Sequence, residues 1–209
     1  TLGRAQHILD NLIATGKAKP MVVVMTNGNP NCQAAPGEWS AGQYIPSFYG
    51  YQGAKPAATM DESFPDVMNY VENHYKVAKD KAHRAICGLS MGGGHSFDIS
   101  RRFPTKFDYI GLFSAGLHVS TTGDFRNDFY KQLQGNEEAK TQLATLFKNK
   151  PKLYWIGMGK TDFLYKSSAD LRRYFDEKGY KYTYLETEGG HIWRNWRVYL
   201  TEFAQKIFK

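Results

Sequence analysis

Gly88-Leu89-Ser90-Met91-Gly92 spells G-x-S-x-G. It falls between Arg84–Cys87, which reads as a strand, and Gly92–Arg102, which reads as a helix, the context in which the motif has mechanical meaning. A turn this tight projects the Ser90 hydroxyl at the carboxyl edge of a sheet and leaves no room for a side chain at position 88 or 92. The backbone N–H of Met91, opening the helix, points to where a tetrahedral oxyanion forms. A serine hydroxyl is a poor nucleophile until a base takes its proton, so a histidine and an orienting carboxylate must follow. The base is His191 in Glu188-Gly189-Gly190-His191-Ile192-Trp193, where glycines let the backbone bring the imidazole to the sheet edge. The acid is Asp162, which follows a strand across Gly157-Met158-Gly159. Glu186 and Glu188 compete for that role, but lie so near His191 in sequence that folding back onto the ring is hard. Asp162 could also be a turn or cap aspartate. His118 follows another strand at the same edge and reads as a substrate contact or an ordinary loop residue. His7, His74, His83 and His95 read as solvated or packing histidines. Neither CxxC nor HExxH occurs, so no metal site is expected.

These side chains need a frame that brings distant residues to one edge. Arg4–Ala14 has the apolar period of a helix, and Met21-Val22-Val23-Val24-Met25 reads as a strand buried on both faces. Asp61 is placed as the cap of a helix reaching Tyr75. After the Ser90 helix come strand Tyr109–Ser114, a helix near Glu137–Phe147, strand Leu153–Gly157, helix Ser168–Lys178, strand Lys181–Leu185 and helix Trp196–Phe208. Alternation of this kind predicts an α/β layer fold with a mostly parallel sheet, and no repeat or linker divides 1–209, read as a single domain.

The 209 residues suit about one domain, and 42% apolar against 22% charged residues excludes a disordered tail. No apolar run approaches the ~18 residues of a membrane span, so a soluble chain is expected. The net charge of +7 is dispersed, with no basic run of five, so nucleic acid is not an expected partner. Of two cysteines, Cys87 ends a core strand and reads as an inert buried thiol. The chain starts at Thr1 rather than Met, so a segment is expected to have been removed upstream.

With Gly3-Arg4-Ala5, Asp10-Asn11-Leu12-Ile13-Ala14, Lys19-Pro20-Met21, the run Arg84 to Gly94, and Gly189-Gly190-His191 with Trp193, the chain resembles the feruloyl esterases of carbohydrate esterase family 1, esterase D-like α/β-hydrolases often joined to bacterial xylanases. The resemblance covers nearly the whole chain. It implies Ser90, Asp162 and His191 as a triad acting without cofactor on esters linking ferulate to arabinoxylan, in a secreted or periplasmic bacterial protein. Feruloylated or acetylated xylan and its oligosaccharides are the implied partners, with a xylanase domain as a further appendage. Relatives of this fold also remove acetyl groups. Others hydrolyse S-formylglutathione, but there His usually precedes the nucleophile, where this chain has Leu89. A short-chain esterase or acetyl xylan esterase is the alternative activity, and a non-catalytic carbohydrate-binding module is the alternative of another class.

The stretch Asn27–Thr59 has no period and many aromatics, Tyr44 and Tyr49 among them, which either stack a phenolic ring or pack the loop. Trp193 is likewise an acyl-pocket wall or a core anchor. In an α/β-hydrolase the opening helix follows the third strand, so the first three strands are expected upstream of Thr1, along with the second oxyanion donor; Gly28 and Asn29 are substitutes within the chain. The third strand would lie between Met21–Met25 and Arg84–Cys87. The chain is therefore expected to be a fragment of a larger catalytic domain, with a gap or a partner segment, the missing N-terminal part, in that slot.

Overall fold

The computed structural model describes residues 2–26, 28, 59–119 and 128–209. They form two compact units, Thr1–Met21 with Ala78–Lys209, and Val22–Val77. The expected aromatics Tyr44 and Tyr49, with Cys32 and Asn29, lie outside the described residues.

The larger unit is a parallel sheet in the order β1 (Ala85–Leu89), β2 (Tyr109–Phe113), β3 (Leu153–Gly159) and β4 (Thr183–Thr187). Its register pairs Leu89 with Phe113, Phe113 with Gly157, and Gly159 with Thr187, so the carboxyl ends of the strands stand nearly level. Helices α1 (Ala5–Ala14), α3 (Met91–Arg102), α4 (Phe129–Gln134), α5 (Glu137–Lys148), α6 (Tyr165–Lys178) and α7 (Trp193–Ala204) cover it.

Alternation along the strands sends Tyr109, Phe113 and Trp155 to one face, where they pack on Trp196, Tyr199 and Phe203 of α7. Phe113 meets Trp155 and Phe203 edge-on at 5.3 and 5.8 Å, the arrangement favoured by ring quadrupoles. Leu9 and Leu12 of α1 pack behind, against Ala204. On the other face Tyr154 meets Phe147 of α5 and Phe175 of α6. β2 is buried throughout, as a strand covered on both faces must be.

The smaller unit holds α2 (Met60–His74) and residues 22–26, which are in no helix or strand. Helix α2 is capped by Thr59, not by Asp61 as expected. Glu62 N–H donates to Thr59 Oγ1 while Glu62 Oε2 accepts from Thr59 N–H, a reciprocal box that satisfies two donors where Asp61 could satisfy one.

The Met21–Met25 strand is a further correction. The residues are in no strand of the sheet, and Val22, Val24 and Met25 are 55%, 49% and 73% exposed. An apolar run reports what a segment could bury; a ladder also needs a partner with free backbone groups, which composition does not reveal. Beside Val22–Met25, residues Asp66, Val67, Tyr70, Val71 and Tyr75 of the same unit line an apolar groove of about 580 Å³. The Cys87 side chain is exposed rather than buried, on β1, which ends the sheet among the described residues.

Candidate active site

The turn from β1 into α3 is built on close approach. A Cβ on Gly88 would lie 2.2 Å from the carbonyl oxygen of Gly92, so only glycine lets the helix start where it does. Gly93 and Gly94 serve the same end against Ala115 and Gly116, at 2.7 and 2.3 Å. Gly92 itself has open space where crowding was expected: a Cβ there would meet nothing within 4 Å. Ser90 sits in the turn with φ 55° and ψ −117°, a conformation costing about 1–3 kcal/mol that persists only where surroundings impose it. Its backbone is held on both sides: its N–H donates to Phe113 O at 2.9 Å, and its carbonyl accepts from Gly116 N–H at 2.9 Å. Met91 is the first residue of α3, so its N–H has no partner within the helix and can serve an anionic oxygen.

His191 stands on the loop between β4 and α7. That loop is fastened to the one after β3, where Thr161 N–H donates to Gly189 O at 3.1 Å, and to α7, where the buried Asn195 amide donates to Gly190 O at 3.0 Å. Fixed so, His191 Nε2 lies 2.9 Å from Ser90 Oγ, and its Nδ1 lies 2.9 and 3.1 Å from the Asp162 carboxylate oxygens. Asp162 accepts only, so Nδ1 carries the proton and Nε2 is the acceptor for the serine hydroxyl. The imidazole is flanked by Phe163 at 4.7 Å and by the edge of Trp196 at 4.8 Å.

The Asp162 side chain is fully buried. Burial alone would raise its carboxyl, but the hydrogen bond from His191, the Leu164 N–H at 2.9 Å and the nearby Ser114 hydroxyl outweigh it and hold the group below its usual 3.8. Ser90, His191 and Asp162, chosen from sequence, thus meet in one hydrogen-bonded chain, an arrangement that can draw a proton from a hydroxyl and give it to a leaving group.

The competing carboxylates are engaged elsewhere. Glu186 accepts from the Tyr165 and Tyr184 hydroxyls, and Glu188 pairs with Lys160. His118 is exposed after β2, and among the described residues no hydrogen bond joins it to the three. Trp193 opens α7 edge-on to Trp196 at 4.9 Å, and a Cβ on Gly3 would lie 3.1 Å from its ring, so the N-terminal segment passes close against it. Asn195, Phe163 and Ser114 were not singled out from sequence. Of these only Asn195, four residues past the histidine on a helix, left a pattern that could have been read. Among the described residues no cluster of three or more His, Cys, Asp or Glu could hold a metal ion.

Comparison with known proteins adds an independent line. The Esterase family model matches residues 1–207. The chain is 31% identical over 211 residues, 99% of this chain, to an endo-1,4-beta-xylanase/feruloyl esterase of Xylanibacter ruminicola, of which it covers 24%. It is 25% identical over 164 residues, 69% of this chain and 61% of the other, to an acetyl esterase of Caldicellulosiruptor saccharolyticus. The chain therefore spans about a quarter and about three fifths of these relatives' lengths. Among solved structures, a ferulic acid esterase superposes with a TM-score of 0.70 at 24% identity, covering 98% of this chain and 76% of that one, a likeness of fold.

Proposed function

The chain belongs to the Esterase family, and from that premise we propose that it is a serine-dependent carboxylic ester hydrolase acting on hydroxycinnamoyl, chiefly feruloyl, esters of plant cell-wall arabinoxylan. The observation that carries the reading is the unbroken path from Ser90 Oγ through His191 to a buried, ionised Asp162. Ser90 Oγ attacks the ester carbonyl as its proton passes to His191 Nε2. The carbonyl oxygen gathers negative charge opposite the Met91 N–H, and Asp162 stabilises the imidazolium that forms. Collapse breaks the bond to the sugar oxygen, which leaves with the proton from His191. Water then enters, gives a proton to the same nitrogen and attacks the acyl-serine, releasing the carboxylic acid and restoring Ser90.

The feruloyl substrate is supported by the xylanase/feruloyl esterase relative, matched over nearly all of this chain. Secretion to the periplasm or medium, and action beside a xylanase, follow from that substrate. A second reading, deacetylation of xylan or of short-chain esters, is favoured by the acetyl esterase relative. Methyl ferulate and acetylated xylan separate the two: faster release of ferulate is expected, and acetate release alone would move the assignment to the second.

A further inference from the structure

His191 is the central residue of a three-residue turn, closed by the Ile192 N–H donating to Gly190 O at 2.9 Å. The direction in which the imidazole leaves the backbone therefore depends on where the Gly190 carbonyl stands. Gly189 and Gly190 give the chain approaching that turn more conformational freedom than any other residues would, and this freedom has to be removed before the ring can serve two partners at once. The Lys160–Glu188 pair spans the same two loops, but its side chains are 50% and 75% exposed, and a solvated pair fixes little. The Gly190 carbonyl has a second, buried donor. The side-chain amide of Asn195, in the first turn of α7, reaches it at 3.0 Å, and Asn195 is 2% exposed. Helix formation does not ask for an asparagine there, since Ala or Leu favours a helix more and leaves no amide to be satisfied away from water. The surroundings are shaped to admit it. A Cβ on Gly159 would lie 2.9 Å from Asn195 Nδ2 and 2.3 Å from Gly189 O, so the end of β3 leaves room for the amide and for the loop it holds.

We propose that Asn195 is a positioning residue for the reaction proposed above, on which this inference rests: its buried amide clamps the Gly190 carbonyl to α7 and so holds the His191 imidazole in line between Ser90 Oγ and Asp162, each at 2.9 Å. The clamp acts from the helix side, while the Thr161 N–H holds Gly189 O from the acid's loop at 3.1 Å. The base is thus fixed from two directions, and neither fastening touches the ring itself. His191 passes a proton in both acylation and deacylation, so a ring out of line slows both halves of the reaction and leaves the apparent affinity for the ester almost unchanged.

The test compares Asn195→Ala and Asn195→Leu with wild type in the whole chain. Alanine deletes the amide, and leucine deletes the donor while filling the space, so a loss of packing in the first is separated from a loss of the hydrogen bond. Two quantities are read well below each Tm: kcat and KM on p-nitrophenyl acetate, and the ring signals of His191 by nitrogen NMR, which report the tautomer. Wild type should hold its proton on Nδ1. Both variants are expected to lower kcat about ten- to a hundredfold with KM within about twofold, and to show a mixture of tautomers as the ring leaves Asp162. Ring signals like those of wild type in both variants, or a kcat within about twofold of it, overturn the inference even if Tm falls, since that describes a merely structural asparagine. A wild-type chain that hydrolyses no ester while the ring signals still change in the variants would overturn the esterase reading and support the link from Asn195 to His191.

Discussion

In the proposed reaction Ser90 acts through the two partners it is hydrogen-bonded to in series, so its loss and theirs are expected to have different sizes. Ser90→Ala should lower turnover by about 10⁶-fold with little change in stability, because nucleophile and base work as a unit. Steady-state rates on methyl ferulate check this, and activity within tenfold of wild type would contradict it. Asp162→Asn should cut turnover roughly 10⁴-fold, since an amide favours the imidazole tautomer with its proton on the wrong nitrogen. A near-normal rate there would contradict the role given to the aspartate. These three residues were legible because each chemistry-bearing type stood beside glycines at a strand end, a pattern that survives in one dimension. Phe163, which flanks the imidazole at 4.7 Å, was not legible, because the linear sequence does not say which ring a turn brings beside the histidine.

The β1 to α3 turn makes its own prediction, since two glycines of one motif stand in opposite surroundings. Gly88→Ala drives a Cβ to 2.2 Å from Gly92 O and should cost about 1–3 kcal/mol or more by urea unfolding. Gly92→Ala meets open space and should be neutral or stabilise the helix by about 0.5–1 kcal/mol. Equal losses would mean that the motif's spacing, and not close approach, sets the requirement. At this scale the elements with a clear period were found within a few residues of their ends. The six-residue α4 was missed because it is too short to show one, and Met21–Met25 was read as a strand because an apolar run says nothing about who pairs with it.

For the molecule as a whole, the site's electrostatics enter its stability. The Asp162 carboxyl is lowered in the folded state, so it binds its proton less readily there than in the unfolded chain; its contribution is fully present above the ordinary carboxylate value of 3.8 and is lost as pH falls below it. Thermal unfolding from pH 6 to pH 3 should show that loss, and Asp162→Asn should flatten part of it; parallel curves for the two proteins would argue against the shift. The α/β architecture was legible at this scale, because alternating strand and helix patterns admit few layer arrangements. The division of the described residues into two units was not, since it depends on contacts rather than on any break in composition. The central claim is that Ser90 is a nucleophile activated by His191, and covalent labelling with a fluorophosphonate probe tests it most directly. The account predicts one adduct per folded chain, mapped to Ser90 and lost in Ser90→Ala; folded protein that takes up no probe, or takes it up at another residue, would contradict it.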